Sequence, residues 1–116
     1  MSETITSTEG ASRRITAEVT SWPDVEAGFG KRGEYGFRVG GHEIGHLHGD
    51  RSAHLFFPKQ LWRELHDEGR IEPHPVFPDR EGPASRQITS DADVDDVIAL
   101  MRLNYERLAV RQVVTD

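Results

Sequence analysis

Apolar positions recur along the chain with two different periods. In "SRRITAEVTSWP" Ile15, Val19 and Trp22 fall at helical spacing, and Pro23 restricts the residue before it, which ends the helix near Ser21. "EYGFRV" instead alternates Tyr35, Phe37 and Val39 with Gly36 and Arg38, the period of a strand. Gly40-Gly41 can take the positive φ angles of a two-residue hairpin turn, so this strand folds back into "HEIGHLH". That stretch alternates again, and Gly49-Asp50 is a second candidate turn, leading into "RSAHLFF". The expected product is a three-stranded meander.

Alternation then assigns faces. With two residues in each turn, Val39 faces His42, Phe37 faces Ile44 and Tyr35 faces His46, while Leu55 faces Ile44 and Ala53 faces His46. The core face then carries Tyr35, Phe37, Val39, Ile44, Ala53, Leu55 and Phe57, with His42, His46 and His48 among them. The opposite face carries Arg38, Glu43, Leu47, Ser52, His54 and Phe56, with Arg38 across from Glu43 as a charge pair. His54 is expected to point away from the other histidines.

Downstream, "PKQLWRELHDEG" predicts a helix with Pro58 at its start, Leu61, Trp62 and Leu65 as its apolar stripe and Gly69 as its stop. "RIEPHPVFPDREGPAS" holds four of the six prolines and reads as an extended loop, with "SRQIT" an edge strand. The last helix opens with a capping-box pattern, Ser90 to Asp93. It continues through Val94, Val97, Ile98, Met101, Tyr105 and Leu108 on one face, with Arg102, Arg107 and Arg111 toward its end. The predicted class is α+β: an antiparallel sheet, a three- to four-strand meander plus an edge strand, with helices packed on one face. The small, polar start suggests a disordered tail over residues 1–11, a single domain over 12–111 and a short tail over 112–116.

Composition narrows the chemistry. Without cysteine the chain has no disulfides, thiolate metal sites or cysteine nucleophile. A formal net charge of -6 argues against nucleic acid as a partner, and the apolar runs fall short of the roughly 20 residues that span a bilayer. With a start that lacks the pattern of a secretory leader, the expectation is a soluble cytoplasmic protein whose partner is a small-molecule ligand.

Three motifs compete for the site. "GFGKRG", Gly28 to Gly33, matches G-x-G-x-x-G in letters but runs into a strand instead of opening a helix, so it is not a dinucleotide fingerprint. Lys31 and Arg32 in that loop could still meet an anionic group. His46-x-His48 projects two imidazoles to one side of a strand, the geometry of strand-borne metal sites. The spacing from Gly40 resembles the opening of the cupin metal motif, but the glutamate expected next is absent, since positions 51 to 54 read Arg, Ser, Ala, His. The incomplete triad predicts a site without metal or other cofactor. The third reading makes the histidines acid/base groups in an organic-ligand pocket between the sheet and its helices, against the alternative of core histidines satisfied by backbone groups.

The segments "WPDVEAGFGKRGEYGFRVGGHEIGHLHGD", "HLFFPK", "EGRIEPHPVFP" and "DVDDVIALMRLNYERL", from about Trp22 to Leu108, together resemble the small luciferase-domain family, prokaryotic proteins that share their domain with fungal luciferases. Fungal members oxidise a hydroxylated pyrone with molecular oxygen. The resemblance therefore implies a compact α+β domain and an oxygen-dependent activity of that type, with no implication of light emission. The family's pattern touches Gly33, Glu34, Gly45, His46, His48, Gly49, Pro58, His74 and Pro75. Where members often have Gly-Trp before the last strand, this chain has Gly82-Pro83.

Together these features predict a binder of a small aromatic or enolic molecule, and the resemblance implies that it acts as a cofactor-independent oxygenase. His46 or His48, with His74, are the catalytic candidates, and Lys31, Arg32, Glu34 and Tyr35 are the substrate-binding candidates. The competing expectation is a noncatalytic binding or interaction module whose histidines are structural.

Overall fold

The computed structural model describes residues 10–115, with side chains through residue 110. Helix α1 (Ala11–Val19) is followed by β1 (Val25–Phe29), β2 (Tyr35–Val39), β3 (His42–His48) and β4 (Ser52–Phe56). Helix α2 (Lys59–Asp67), β5 (Glu72–Pro73), β6 (Pro83–Gln87) and helix α3 (Asp91–Thr115) complete the chain. The strands form one antiparallel sheet in the order β1-β2-β3-β4-β6-β5. The class is α+β, as the periodicities imply, with six strands where a meander of three to four and one edge strand were expected.

The start of α3 and the end of α2 fall where the sequence signals them. Ser90 Oγ accepts the Asp93 N–H at 3.2 Å, one of the amides that the first turn of α3 leaves without a helical partner. Gly69, at φ 74°, ends α2. Ala11, expected in the tail, is instead a buried residue of α1, because the Asp50 carboxylate accepts the Ser12 N–H at 2.7 Å and ties the start of that helix to the β3–β4 loop. The rest of the expected tail, residues 1–9, lies outside the described residues. At the other end α3 runs on to Thr115, past residue 111.

One face of the sheet meets α1 and α3. Ile15 and Val19 of α1 and Val94, Val97, Leu100, Met101 and Leu108 of α3 close over Phe37, Val39, Ile44, Leu47, Ala53 and Leu55. Each buried side chain of this size stabilises the fold by roughly 1.5–3 kcal/mol relative to exposure. The helix α2 is fastened beside the start of β6, Trp62 Nε1 donating to the Pro83 carbonyl at 3.0 Å. Arg86 bridges Asp93 and Asp96 at 2.6 Å each, locking β6 to the first turns of α3.

Two departures from simple alternation decide where the histidines go. The β2–β3 turn is the expected one, with Gly40 and Gly41 at φ 59° and 80° and Val39 across from His42 and Arg38 from Glu43. A bulge then follows: Ile44 has no partner in the ladder, so Gly45 faces Phe37, His46 faces Gly36 and Leu47 faces Tyr35. The β3–β4 connection is the second departure. It holds three residues, not two, and pairs His48 with Ser52, Leu47 with Ala53 and His46 with His54. Faces on β2 and β4 stand as expected, whereas the second half of β3 is inverted. Leu47 enters the core, and His46 and His48 leave it for the open face, where His54 already points; His42 is exposed. The energetics favour this outcome, because simple alternation would bury imidazoles among apolar side chains and expose a leucine.

Two strand assignments also change. Val25–Phe29, for which the sequence suggested no strand, is edge strand β1 and takes in Gly28 and Phe29 from the start of the expected glycine-rich loop; its residues are mostly exposed and so leave no apolar period to read. The expected edge strand is interior instead: β6 lies between β4 and the two-residue β5, and β5, ending in Pro73, is the actual edge.

Candidate functional site

The sequence fits the bulge in two ways. Gly45 sits under α3, where an added Cβ would lie 2.8 Å from Met101 Sδ and 3.1 Å from the His54 carbonyl oxygen, so only glycine lets the strand bulge against the helix. The Ile44 carbonyl, left out of the ladder, accepts the side-chain amide of buried Asn104 at 3.0 Å, and the same amide donates to Phe56 at 2.9 Å. These contacts fix the register that gathers four imidazoles on the open face.

Within the cluster, ring centroids stand 5.1 Å apart for His46 and His48, 5.3 Å for His46 and His54, 4.4 Å for His48 and His54, and 4.1 Å for His54 and His74. The Glu43 carboxylate is 2.8 Å from His46 Nδ1. A carboxylate there holds the hydrogen on Nδ1, leaves the Nε2 lone pair free and stabilises the imidazolium. Glu43 and His46 are three residues apart and would occupy opposite faces of a regular strand. The bulge puts them on one face.

His48 Nε2 and His54 Nδ1 are 3.1 Å apart and share one hydrogen. His74 Nδ1 accepts the Val76 N–H at 3.1 Å, which leaves the hydrogen of that ring on Nε2. Each of His46, His48 and His54 offers a ring nitrogen, and these nitrogens all lie within 4.8 Å of one another. Across β6 from His54, Ser85 has a buried hydroxyl without a partner among the described residues.

Electrostatics disfavour the charged form of His48, His54 and His74. Burial, then the neighbouring His74, His48 and His46, pushes His54 down to about 4. Burial first and His46 next also lower His48, and burial followed by His46 and His48 lowers His74.

Two depressions flank the cluster. A groove of about 260 Å³ is bounded by Glu43, His46, His54, Phe56, His74, Phe77, Arg80 and Pro83. Its wall is aromatic and cationic, with the Arg80 guanidinium 5.3 Å from the Phe77 ring centre. Pro83, at the position where the family pattern has tryptophan, lies across from Phe56 and contributes to this groove. On the other side of Glu43 lies a hollow of about 320 Å³, floored by Gly28 and Gly36, which pair directly, and walled by Glu26, Glu34 and Arg38.

His46, His48 and His74 therefore come together as the sequence suggests, but on the open face and with His54 in their midst. Glu34 lies near them: His46 and His48 help keep its carboxyl below the usual range, after the larger effect of its own backbone N–H and, against burial, that of Arg32. Tyr35 is separated from them, since it faces the helix side and packs edge-on against Phe29 and Phe37. It lines a distinct hollow of about 500 Å³ beside α1, with Ser12, Arg13, Thr16 and Phe29, that contains none of the histidines. Lys31 and Arg32 are exposed in the β1–β2 turn and border neither depression of the open face.

Glu43 and His54 were missed by alternation, and Phe77 and Arg80 lie in a segment without it. Two signals pointed to the first pair: Leu47, the apolar residue between His46 and His48 that needs burial, and Gly45, whose missing side chain permits the bulge.

No helix among the described residues is long and apolar enough to cross a membrane. Comparison with curated proteins and with solved structures returned no match. The model of the Luciferase domain family matches residues 41–104, more than half of the chain, and that span holds Glu43, the four clustered histidines, Phe77 and Arg80. The chain belongs to the luciferase-domain family.

Proposed function

We propose that the open face of the sheet binds a small planar enol or phenol and ionises it, as the opening step of an oxygen-dependent reaction. The observation that carries this reading is the glycine floor beside the Glu43–His46 pair. Gly28 and Gly36 do not need glycine for their backbone: neither has a positive φ, and an added Cβ would meet nothing within 4 Å at Gly28 and only ordinary contacts at Gly36. Glycine within a strand costs roughly 0.5–1 kcal/mol relative to alanine. What it provides here is a flat space beside a base, where a planar ring can lie against the backbone.

His46 is the base. Its free Nε2 takes the hydroxyl proton, and Glu43 stabilises the imidazolium that results. The anion left behind meets Arg38 on the glycine side or Arg80 on the aromatic side, and the Nε2–H of His74 is a donor for it. Molecular oxygen is the oxidant that then attacks the electron-rich anion, in keeping with the family.

Calorimetric titration with enolic pyrones and polyphenols, paired with oxygen uptake, tests the reading. Saturable binding with oxygen consumption, both lost in Gly28→Leu and the second lost in His46→Gln, is the expected result. Binding with no uptake from any of these compounds would leave a noncatalytic binding module instead.

A further inference from the structure

We propose that His46, His48 and His54 hold one divalent first-row transition ion, with Glu43 as the outer carboxylate and an open coordination position toward the groove. The proposal rests on the reading above for the place and class of the ligand, and it changes where the proton goes. The sequence argued against a metal because a third ligand was missing after His46-x-His48; the three-residue β3–β4 loop supplies it by bringing His54 directly across from His46.

The geometry is that of ligands on a rigid ladder. His48 Nε2 and His54 Nδ1, 3.1 Å apart, have about the separation of two nitrogens bound at ~2.0–2.1 Å to a single ion, which would replace the hydrogen they share. All the nitrogens offered lie within 4.8 Å of one another, which puts the His46 ring within reach of the same ion. Glu43 on His46 Nδ1 is the second-layer carboxylate that fixes a metal-binding imidazole with Nε2 free. Imidazole donors without thiolate suit zinc, cobalt, nickel, copper or iron. His74 is not a ligand, because its Nδ1 is taken by the Val76 N–H and its Nε2 carries hydrogen. It remains a hydrogen-bond donor beside the open position, and the unpartnered hydroxyl of Ser85, on the same face as His54, is another donor near the cluster.

An ion held there carries a hydroxide at its open position. The hydroxide takes the proton of the enol and leaves as water, while the enolate oxygen takes its place on the ion, with no change of oxidation state. His46, now a ligand, no longer acts as the base.

The test titrates the tag-free, chelator-treated full chain with Zn2+ and Co2+ by calorimetry, following the visible absorption of cobalt. One ion per chain is expected. Affinity should fall more than about 100-fold in His48→Gln and His54→Gln and about 10–100-fold in Glu43→Gln, with melting temperatures kept, while His74→Gln still binds one ion. Less than one ion per chain at saturation, or unchanged affinity in both triad variants, would overturn the proposal. Its failure is separable from failure of the base reading, because ionisation of an enol by the metal-free chain needs no ion.

Discussion

The side-chain amide of Asn104 donates to the carbonyl of Ile44 at 3.0 Å, and through this bond α3 holds the bulge that turns His46 and His48 toward the open face. Asn104→Ala leaves the buried Ile44 carbonyl and the partly buried Phe56 carbonyl without that donor and opens a cavity. The expected loss is about 2–4 kcal/mol in urea unfolding, accompanied by shifted histidine ring resonances. A loss under about 1 kcal/mol with unchanged histidine resonances would show that the bulge holds without α3.

Two glycines should answer oppositely to the same change. Gly45→Ala pushes a methyl group against Met101 and the His54 carbonyl, so that a buried side chain and a strand backbone must both shift, and a cost of about 1–3 kcal/mol is expected. Gly28→Ala enters open space on an edge strand and should leave stability unchanged or raise it by up to roughly 1 kcal/mol. Thermal melts of the two variants decide this; equal destabilisation would contradict the packing described.

The metal-free protein should lose stability as the solution is acidified. His54 has a folded value of about 4 against roughly 6.5 when unfolded, so between these values the unfolded chain binds more protons and folding weakens as pH falls. Discounted for the solvent that reaches this partly exposed ring, the loss from His54 is about 1–2 kcal/mol and is complete near pH 4, with His48 and His74 contributing in the same direction. Urea midpoints at pH 7 and pH 5 should differ clearly in wild type and less in His54→Gln. An identical pH dependence in the two proteins would rule out His54 as the source.

Much of the fold is legible in the chain because its signals are local. Ile15 and Val19 at helical spacing, Ser90 capping α3 and Gly69 ending α2 each act within a turn or two, and the paired glycines at 40 and 41 set the β2–β3 hairpin. The histidine site was half legible: His46 and His48 do share a face. Which face depended on two one-residue slips, and each slip reverses every side chain beyond it. The bulge is held from afar by Asn104 and Met101, and Asp50 in the three-residue loop is bonded to the start of α1, so simple alternation along the strand locates neither departure, although Gly45 and Leu47 hint at the first. Phe77 and Arg80 lie in a proline-rich segment with no period to read.

The reading of the open face comes down to whether a hydroxyl loses its proton there. The direct measurement is the ultraviolet difference spectrum of a hydroxypyrone or nitrophenol that is protonated in free solution at the working pH, added to the metal-free protein. The anion band should appear on binding to wild type and to His74→Gln, and be absent with His46→Gln, where the probe binds as the neutral acid. A probe that stays protonated when bound to wild type, or an anion band that persists in His46→Gln, would contradict the role of His46 and the Glu43–His46 pair as the base.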